Sequence, residues 1–383
     1  MAHHTGSFNL TSWYTFYLLQ GSYQIDYLFI PALFLVFASS IKSAQVIGHL
    51  WLPDSMEAPI PASALIHSAT LVSAGVFLLL KFNWILKLNN LFIFILLLGV
   101  VTALYGAVIA AAQTDCKKLL AYSTISHCGF LFITIGLNNI YLSITYLYLH
   151  GFFKALTFFC VGNLVKIAKG YQDTRKMGQL FLVAPIESVL LVICAINLGA
   201  LPYTIGYFYK SLLQMTLLSV KISVYLIPFI FISMLASIIY VFRLVFYSLF
   251  DIQKNNNSNF DYYFKQSYND KEYSNTTTLA VIFILLLLVV VSYVYFFYIL
   301  FIKNFIFYNY SINLDFLETT QNIQKNVIEY YHFFYIFFGV ILIILIKIEC
   351  RYEFSFLKKN YLLYYFVLFM LFFQFSFFCL LYI

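Results

Sequence analysis

The sequence predicts an all-α, polytopic transmembrane helical bundle, and three observations predict it. Of 383 residues 63% are hydrophobic and only 10% are charged, whereas an ordinary soluble domain carries about 25% charged residues. The mean hydropathy is +0.88, so the side chains need lipid as solvent. Finally, the apolar residues fall into roughly ten continuous runs of the length a spanning helix requires, about 20 residues. Continuous rather than alternating runs exclude a β-barrel.

The runs lie near 27–47, 62–82, 91–112, 119–137, 141–165, 184–217, 223–250, 279–301, 331–348 and 361–383. The run 184–217 is long enough to be bent or broken. The chain divides into residues 1–26, an N-terminal extension or partial span; 27–250, the transmembrane core; 251–278, a polar loop rich in Asn, Asp, Tyr and Lys; and 279–383, C-terminal transmembrane helices. The start, MAHHTGSFNLTSWYTFYLL, has no basic n-region and no Arg-rich amphipathic pattern, so a cleaved leader is not expected. Loops carrying Lys117, Lys118, Lys166, Lys169, Arg175 and Lys176 share one side, which the positive-inside rule assigns to the matrix or cytoplasm.

Composition also limits the chemistry. The 44 Phe and 33 Tyr against 3 Trp, with abundant Asn, Ile and Lys, are the residues of AT-rich codons and hint at an organellar genome. The six cysteines are scattered through apolar stretches without a CxxC pair, so they read as inert buried thiols. Neither a phosphate-binding Gly loop nor a metal-ligand cluster nor a nucleophile motif stands out. No nucleotide, metal or other cofactor is expected on this chain, and the basic loops are explained by topology rather than by nucleic acid.

The informative residues are polar ones at membrane depth, where a Lys costs about 2.5–3.5 kcal/mol on insertion scales and is functional by default. Lys42 sits in FASSIKSAQVIGHLW, flanked by Pro31 and Pro53, a composition that allows a helix break. The alternative is a helix-end Lys snorkelling to the interface. His67 lies in a span rich in Ser, Thr and Gly. His150 and Lys154 are four apart in LHGFFKAL and so project from one helical face. A His, with its ordinary pKa near 6.5, and a Lys on one buried face make a candidate proton relay; the bland alternative is a His bonded to a carbonyl. Lys210 follows Gly199, Pro202 and Gly206, the pattern of a discontinuous helix, or of a simple Pro kink. His127 reads first as a structural histidine, with a relay role as the alternative. Asp54 and Glu57 read as turn residues, Asp115 as part of a helix-end charge cluster, and Arg243 as a snorkelling helix-end cation.

Four strings carry a family resemblance: KSAQVIGHLWLPDSMEAPIPASALIHSATLVSAGVFLL from Lys42, AAAQTDCKKLLAYSTISHCGF from Ala110, LHGFFKALTFFCVGNLV from Leu149 and GYFYKSLL from Gly206. In content, order and spacing they resemble the antiporter-like, proton-pumping subunit 5 family of NADH:ubiquinone oxidoreductase, respiratory complex I. Subunits of multisubunit cation/proton antiporters share a looser version. The likeness covers roughly residues 28–250. It implies an antiporter-like fold with two discontinuous helices, placement in the mitochondrial inner membrane, and a relay through Lys42, His67, His150, Lys154 and Lys210. Quinone reduction elsewhere in the complex would drive it.

The sequence also departs from the family. Tyr146 stands where the family commonly has His, Ser211 where it often has an acid, and Ser126-His127 where it has Ser-Gln. The resemblance therefore leaves room for His127 in the relay. The family places several spans before the Lys42 helix, one bearing a Glu that pairs with this Lys. That N-terminal half is missing here, so the expected partners are other membrane-arm subunits, lipid, and a separate chain supplying the half with the Glu. The family's lateral amphipathic helix has little room between 348 and 361, unless 304–348 serves instead. A cation/proton antiporter subunit and a non-pumping structural half-subunit are the rival expectations.

Overall fold

A computed structural model describes residues 26–250, apart from positions 69, 169, 202–203 and 219–224. The expected polar loop and the three C-terminal spans lie outside the described residues, as do Pro202, Cys350 and Cys379. Within them the chain is helical, with a single bridge pair, Asp115 and Asp173, as its extended pairing. Five helical segments are long and apolar enough to cross a membrane: Ala62–Lys81, Phe92–Ala112, Cys116–Gly136, Ile140–Ile167 and Ile227–Phe250. The ends of each lie within four residues of those expected from hydropathy.

In chain order the helices are α1 (Asp26–Lys42), α2 (Trp51–Asp54), α3 (Ile60–Ser68), α4 (Leu71–Lys81), α5 (Asn83–Leu88) and α6 (Phe92–Ala112). They continue as α7 (Cys116–Gly136), α8 (Ile140–Ile167), α9 (Leu180–Val183), α10 (Pro185–Gly199), α11 (Ile205–Leu218) and α12 (Ile227–Val245). The α7–α8 turn is written locally. Asn138 adopts the left-handed conformation (φ 54°) just past the α7 C-terminus. The Asn139 side chain then accepts from the Leu142 N–H and caps α8. Pro185 opens α10 at a position where its missing N–H costs nothing.

Helix α7 is the axis of the bundle. From Ser123 to Ile135 it is buried without interruption. The tightest seam is with α6, where a Cβ on Gly129 would stand 2.5 Å from the Ala103 nitrogen. Only glycine lets the two backbones close to that distance, the small-residue packing that replaces hydrophobic drive between membrane helices. Helices α8 and α12 cover further sides of α7.

The crossing 62–81 is one span in two pieces rather than the continuous helix its hydropathy suggests. The Ser68 hydroxyl bonds back to the Ala64 carbonyl (2.6 Å), and the Thr70 N–H reaches five residues back to Leu65 (3.3 Å). Such back-bonding from small polar residues bends a helix. At one end of the bundle the loops before α7 and after α8 are clamped together. Cys116 N–H donates to Gln172 O (2.9 Å) and Thr174 N–H to Thr114 O (3.0 Å). Asp115 there pairs with Lys118 (3.8 Å), the expected charge cluster, and Arg175 binds Asp173 (2.9 Å). That side-chain hydrogen bond from Arg175 holds the Asp173 carboxyl below its usual range. The Arg243 guanidinium donates to the Ala111 carbonyl, one of the C-terminal carbonyls that α6 leaves unpaired.

Helices α10 and α11 meet in a true break. Ala200 takes a left-handed φ of 56° after Gly199, and α11 restarts at Ile205. A Cβ at Gly206 would lie 1.9 Å from the Asn197 carbonyl oxygen, so the residue at 206 must be glycine. We expect Gly206→Val to force the two half-helices apart. On native gels of solubilised membranes the intact assembly containing this chain should fall several-fold, while a neutral change on the exposed face of α6, Val101→Leu, leaves it unchanged.

Candidate functional site

Two faces make the site, one on α7 and one on α8. On α8 the residues Tyr146, His150, Lys154 and Phe158 follow one another at steps of four, so they form one stripe up the helix. All four are buried, Lys154 completely. On α7 Ser123, His127, Phe130 and Thr134 form the facing stripe. The two helices run antiparallel, and the stripes meet rung by rung. The Lys154 ammonium donates to the Ser123 hydroxyl. The His127 and His150 rings lie 5.5 Å apart. His127 Nδ1 bonds the Tyr146 hydroxyl at 2.6 Å.

Helix α12 closes this face from a third side with Ser233, Ser237 and Tyr240, all buried. The Tyr240 hydroxyl lies 3.2 Å from His127 Nε2. His127 therefore engages a tyrosine through each ring nitrogen. Ser237 accepts from Lys210 Nζ at 2.7 Å. Lys210 also reaches back across the α10–α11 break to the Leu198 carbonyl (3.3 Å). That carbonyl belongs to the last turn of α10, where the helix leaves its C=O groups unpaired and the dipole favours a cation. The ammonium stands over the Phe130 ring at 5.5 Å. A crevice bounded by Phe130, Tyr146, Tyr209 and Lys210 runs alongside, and the Tyr146 and Tyr209 rings are 5.6 Å apart.

His67 sits at the other end of the α8 stripe. Its ring stacks on Phe158 (5.4 Å) and its Nε2 lies 3.2 Å from the Ser55 hydroxyl. Lys154 is near enough to act on His67 electrostatically, and Lys210 on Lys154. Among the described residues His67 Nδ1 and His150 Nε2 are buried without a hydrogen-bond partner. An unsatisfied buried polar atom costs about 1–3 kcal/mol.

Lys42 is not part of the cluster. It ends α1, exposed and without a bond or ion pair among the described residues. The helix does break there. Ala44 has φ 53°, and Gln45 N–H donates to Ser40 O (2.8 Å), the pattern that seals a helix C-terminus. The Trp51 indole takes the Ile41 carbonyl (3.0 Å), and Thr102 on α6 donates to the Gln45 amide oxygen (2.6 Å). The structure thus brings His67, His127, His150, Lys154 and Lys210 into one buried belt and leaves Lys42 outside it.

Residues that sequence reading passed over are Ser123, Ser237 and Tyr240, the direct partners of Lys154, Lys210 and His127. Their signal was periodic: Ser233, Ser237 and Tyr240 repeat at helical spacing within an otherwise apolar span.

With this geometry in hand, the comparisons are specific. The family profile described as NADH:quinone oxidoreductase/Mrp antiporter, transmembrane, matches residues 1–240. The chain belongs to this family. It is 50% identical over 221 residues to NADH-ubiquinone oxidoreductase chain 5 of Paramecium tetraurelia, covering 57% of this chain and 39% of that one. The chain 5 protein of Ceratotherium simum is 37% identical over 245 residues, covering 63% and 40%. A solved structure of the Mrp complex from Dietzia sp. DQ12-45-1b superposes with a TM-score of 0.55 at 28% identity, over 64% of this chain and 28% of that one. The chain thus spans about two fifths of the length of the curated relatives it matches. As a family member it is a multi-pass membrane protein with the antiporter-like helical fold.

The Lys210–Ser237 bond generates a test. Ser237→Ala removes the ammonium's side-chain partner and leaves the Leu198 carbonyl. A hydrogen bond to a charged group contributes about 1.5–3 kcal/mol. We expect a lowered thermal inactivation midpoint of the solubilised assembly, with Ser237→Thr close to the parent.

Proposed function

We propose that this chain is a proton-translocating subunit of the membrane arm of NADH:ubiquinone oxidoreductase, resident in the mitochondrial inner membrane. Protons move through a relay of His67, Lys154, His150, His127 and Lys210, with Lys42 as its outlying member. The redox chemistry happens on other subunits, and quinone reduction there drives the charge movement. The observation that carries this reading is the belt itself: two buried ammonium groups, each held by a serine hydroxyl rather than a carboxylate, joined by histidines across α7 and α8.

A buried Lys with a hydroxyl partner sits between charged and neutral states, and a nearby charge decides which. Moving one charge against 100 mV takes about 2.3 kcal/mol. One charge-assisted hydrogen bond, at about 1.5–3 kcal/mol, is of that size. Making and breaking the Lys154–Ser123 and Lys210–Ser237 bonds in turn can therefore gate a step of this magnitude.

Lys42 needs a different partner. It is exposed beside an outward stripe of Ile30, Phe34, Phe37 and Ile41 on α1. We propose that a separate membrane-arm chain covers this face and supplies the carboxylate that pairs with Lys42. The likeness to the Mrp complex structure favours one second reading, a subunit of a cation/proton antiporter complex. The 50% identity to a chain 5 protein supports the first.

Two measurements test this. Mild-detergent purification with mass spectrometry should recover the chain with NADH-oxidising activity and with a partner bearing an intramembrane Glu; travel with cation-antiporter subunits would overturn the proposal. In the assembled complex reconstituted into vesicles, Lys154→Met should cut protons moved per NADH by at least several-fold. An unchanged ratio would remove Lys154 from the mechanism.

A further inference from the structure

We infer that His127, clasped between the Tyr146 and Tyr240 hydroxyls, is the proton carrier that joins the Lys154 end of the belt to the Lys210 end. This rests on the relay reading above and adds its middle link.

The distances argue for it. Successive residues at steps of four on α8 are about 6 Å apart along the axis, roughly two hydrogen-bond lengths. Tyr146 and His150 are such neighbours, so a proton cannot pass between them in one hop. His127 projects from α7 into that interval, its ring 6.0 Å from Tyr146 and 5.5 Å from His150. From the other nitrogen the path turns away from α8. Tyr240 lies one turn beyond Ser237 on α12, and Ser237 holds Lys210. His127 is thus the one described side chain hydrogen-bonded to both α8 and α12 within the belt.

Any buried histidine needs a partner on each nitrogen. Here both nitrogens face hydroxyls, and a hydroxyl both donates and accepts. In the neutral ring one nitrogen carries the proton and the other accepts. The step follows. Nδ1 takes the Tyr146 hydroxyl proton while the Tyr146 oxygen takes a proton from water protonated on the His150 side. Nε2 releases its own proton to the Tyr240 oxygen as Tyr240 gives its hydroxyl proton to water on the Lys210 side. In all, two phenol O–H bonds and one N–H bond break, and two phenol O–H bonds and one N–H bond form. One proton is displaced across the ring, and the tautomer is exchanged. Return of the ring to its first tautomer, by a flip or a reverse hop, resets it.

The test uses the assembled complex in vesicles, reading NADH-driven proton movement against NADH oxidation. His127→Gln keeps a donor and an acceptor for the two tyrosines but cannot carry a proton. It should lower protons per NADH at least tenfold with normal assembly. Tyr146→Phe and Tyr240→Phe each remove one oxygen and should lower it several-fold. The double variant His127→Gln with Tyr146→His returns an imidazole to the same α7–α8 contact and should regain at least half of the ratio. Parent-like pumping by His127→Gln, or no regain in the double variant, overturns the inference. If Lys154→Met is then still defective, the wider relay stands without this link. If Lys154→Met also pumps normally, both fall. Where His127→Gln fails to assemble, parent-like pumping by Tyr146→Phe overturns the inference.

Discussion

The structure depends on one constraint: two ammonium groups are buried in an apolar bundle with a serine hydroxyl each as side-chain partner. A carboxylate would lock a lysine in its charged form. A bare hydrocarbon wall would exclude it from the fold. Ser123 and Ser237 give Lys154 and Lys210 enough to stay inside and too little to be fixed there. The rest of the core follows from holding these pairs in place. Helix α7 must be buried all round to present Ser123 and His127 to α8 while offering its other sides to α6 and α12. Gly129 lets α6 close on α7, and that closure fixes the axial rotation of α7 and hence the direction of His127.

The second demand is for backbone groups at membrane depth. An intact helix satisfies its own carbonyls and offers a cation nothing. Breaking it exposes them where a buried charge can use them. The α10–α11 break turns the Leu198 carbonyl towards Lys210. The α1 break does the opposite, because Ala44, Gln45 and Trp51 take up the carbonyls of Ile41 and Ser40 before any ion can. One break is open to its lysine and the other is sealed, which is why Lys210 is buried in the belt and Lys42 stands outside it.

Much of the fold was legible because hydropathy needs no knowledge of neighbours. The crossings followed from run length, and the α10–α11 break from glycines inside an apolar run. The lysines and histidines stood out because lipid makes them expensive. What could not be read was adjacency between helices. Serines and threonines in apolar helices mostly bond back to their own carbonyls, as Ser123 and Ser237 do, so nothing local marks the two that also hold a lysine. Tyr146 and His127 were visible only as departures from a pattern, 19 residues apart in sequence. The structure makes them one hydrogen-bonded pair. The bend in 62–81 was hidden for the same reason: hydropathy averages over the Ser68 back-bond that makes it.

The antiparallel register of α7 and α8 explains why spacing matters more here than residue type. Steps of four place a titratable or hydroxyl group on one α8 face about every 6 Å. The facing helix must then fill the intervals, because a hop spans about 3 Å. His127 stands beside the interval between Tyr146 and His150, hydrogen-bonded to the first and in ring contact with the second. Among the described residues His150 Nε2 has no hydrogen-bond partner. In the proposed relay the two intervals therefore differ: the Tyr146 side is hydrogen-bonded to His127 and the His150 Nε2 is not bonded. Such an interrupted wire suits a pump better than a continuous one, because a path open throughout would let protons run back down the gradient.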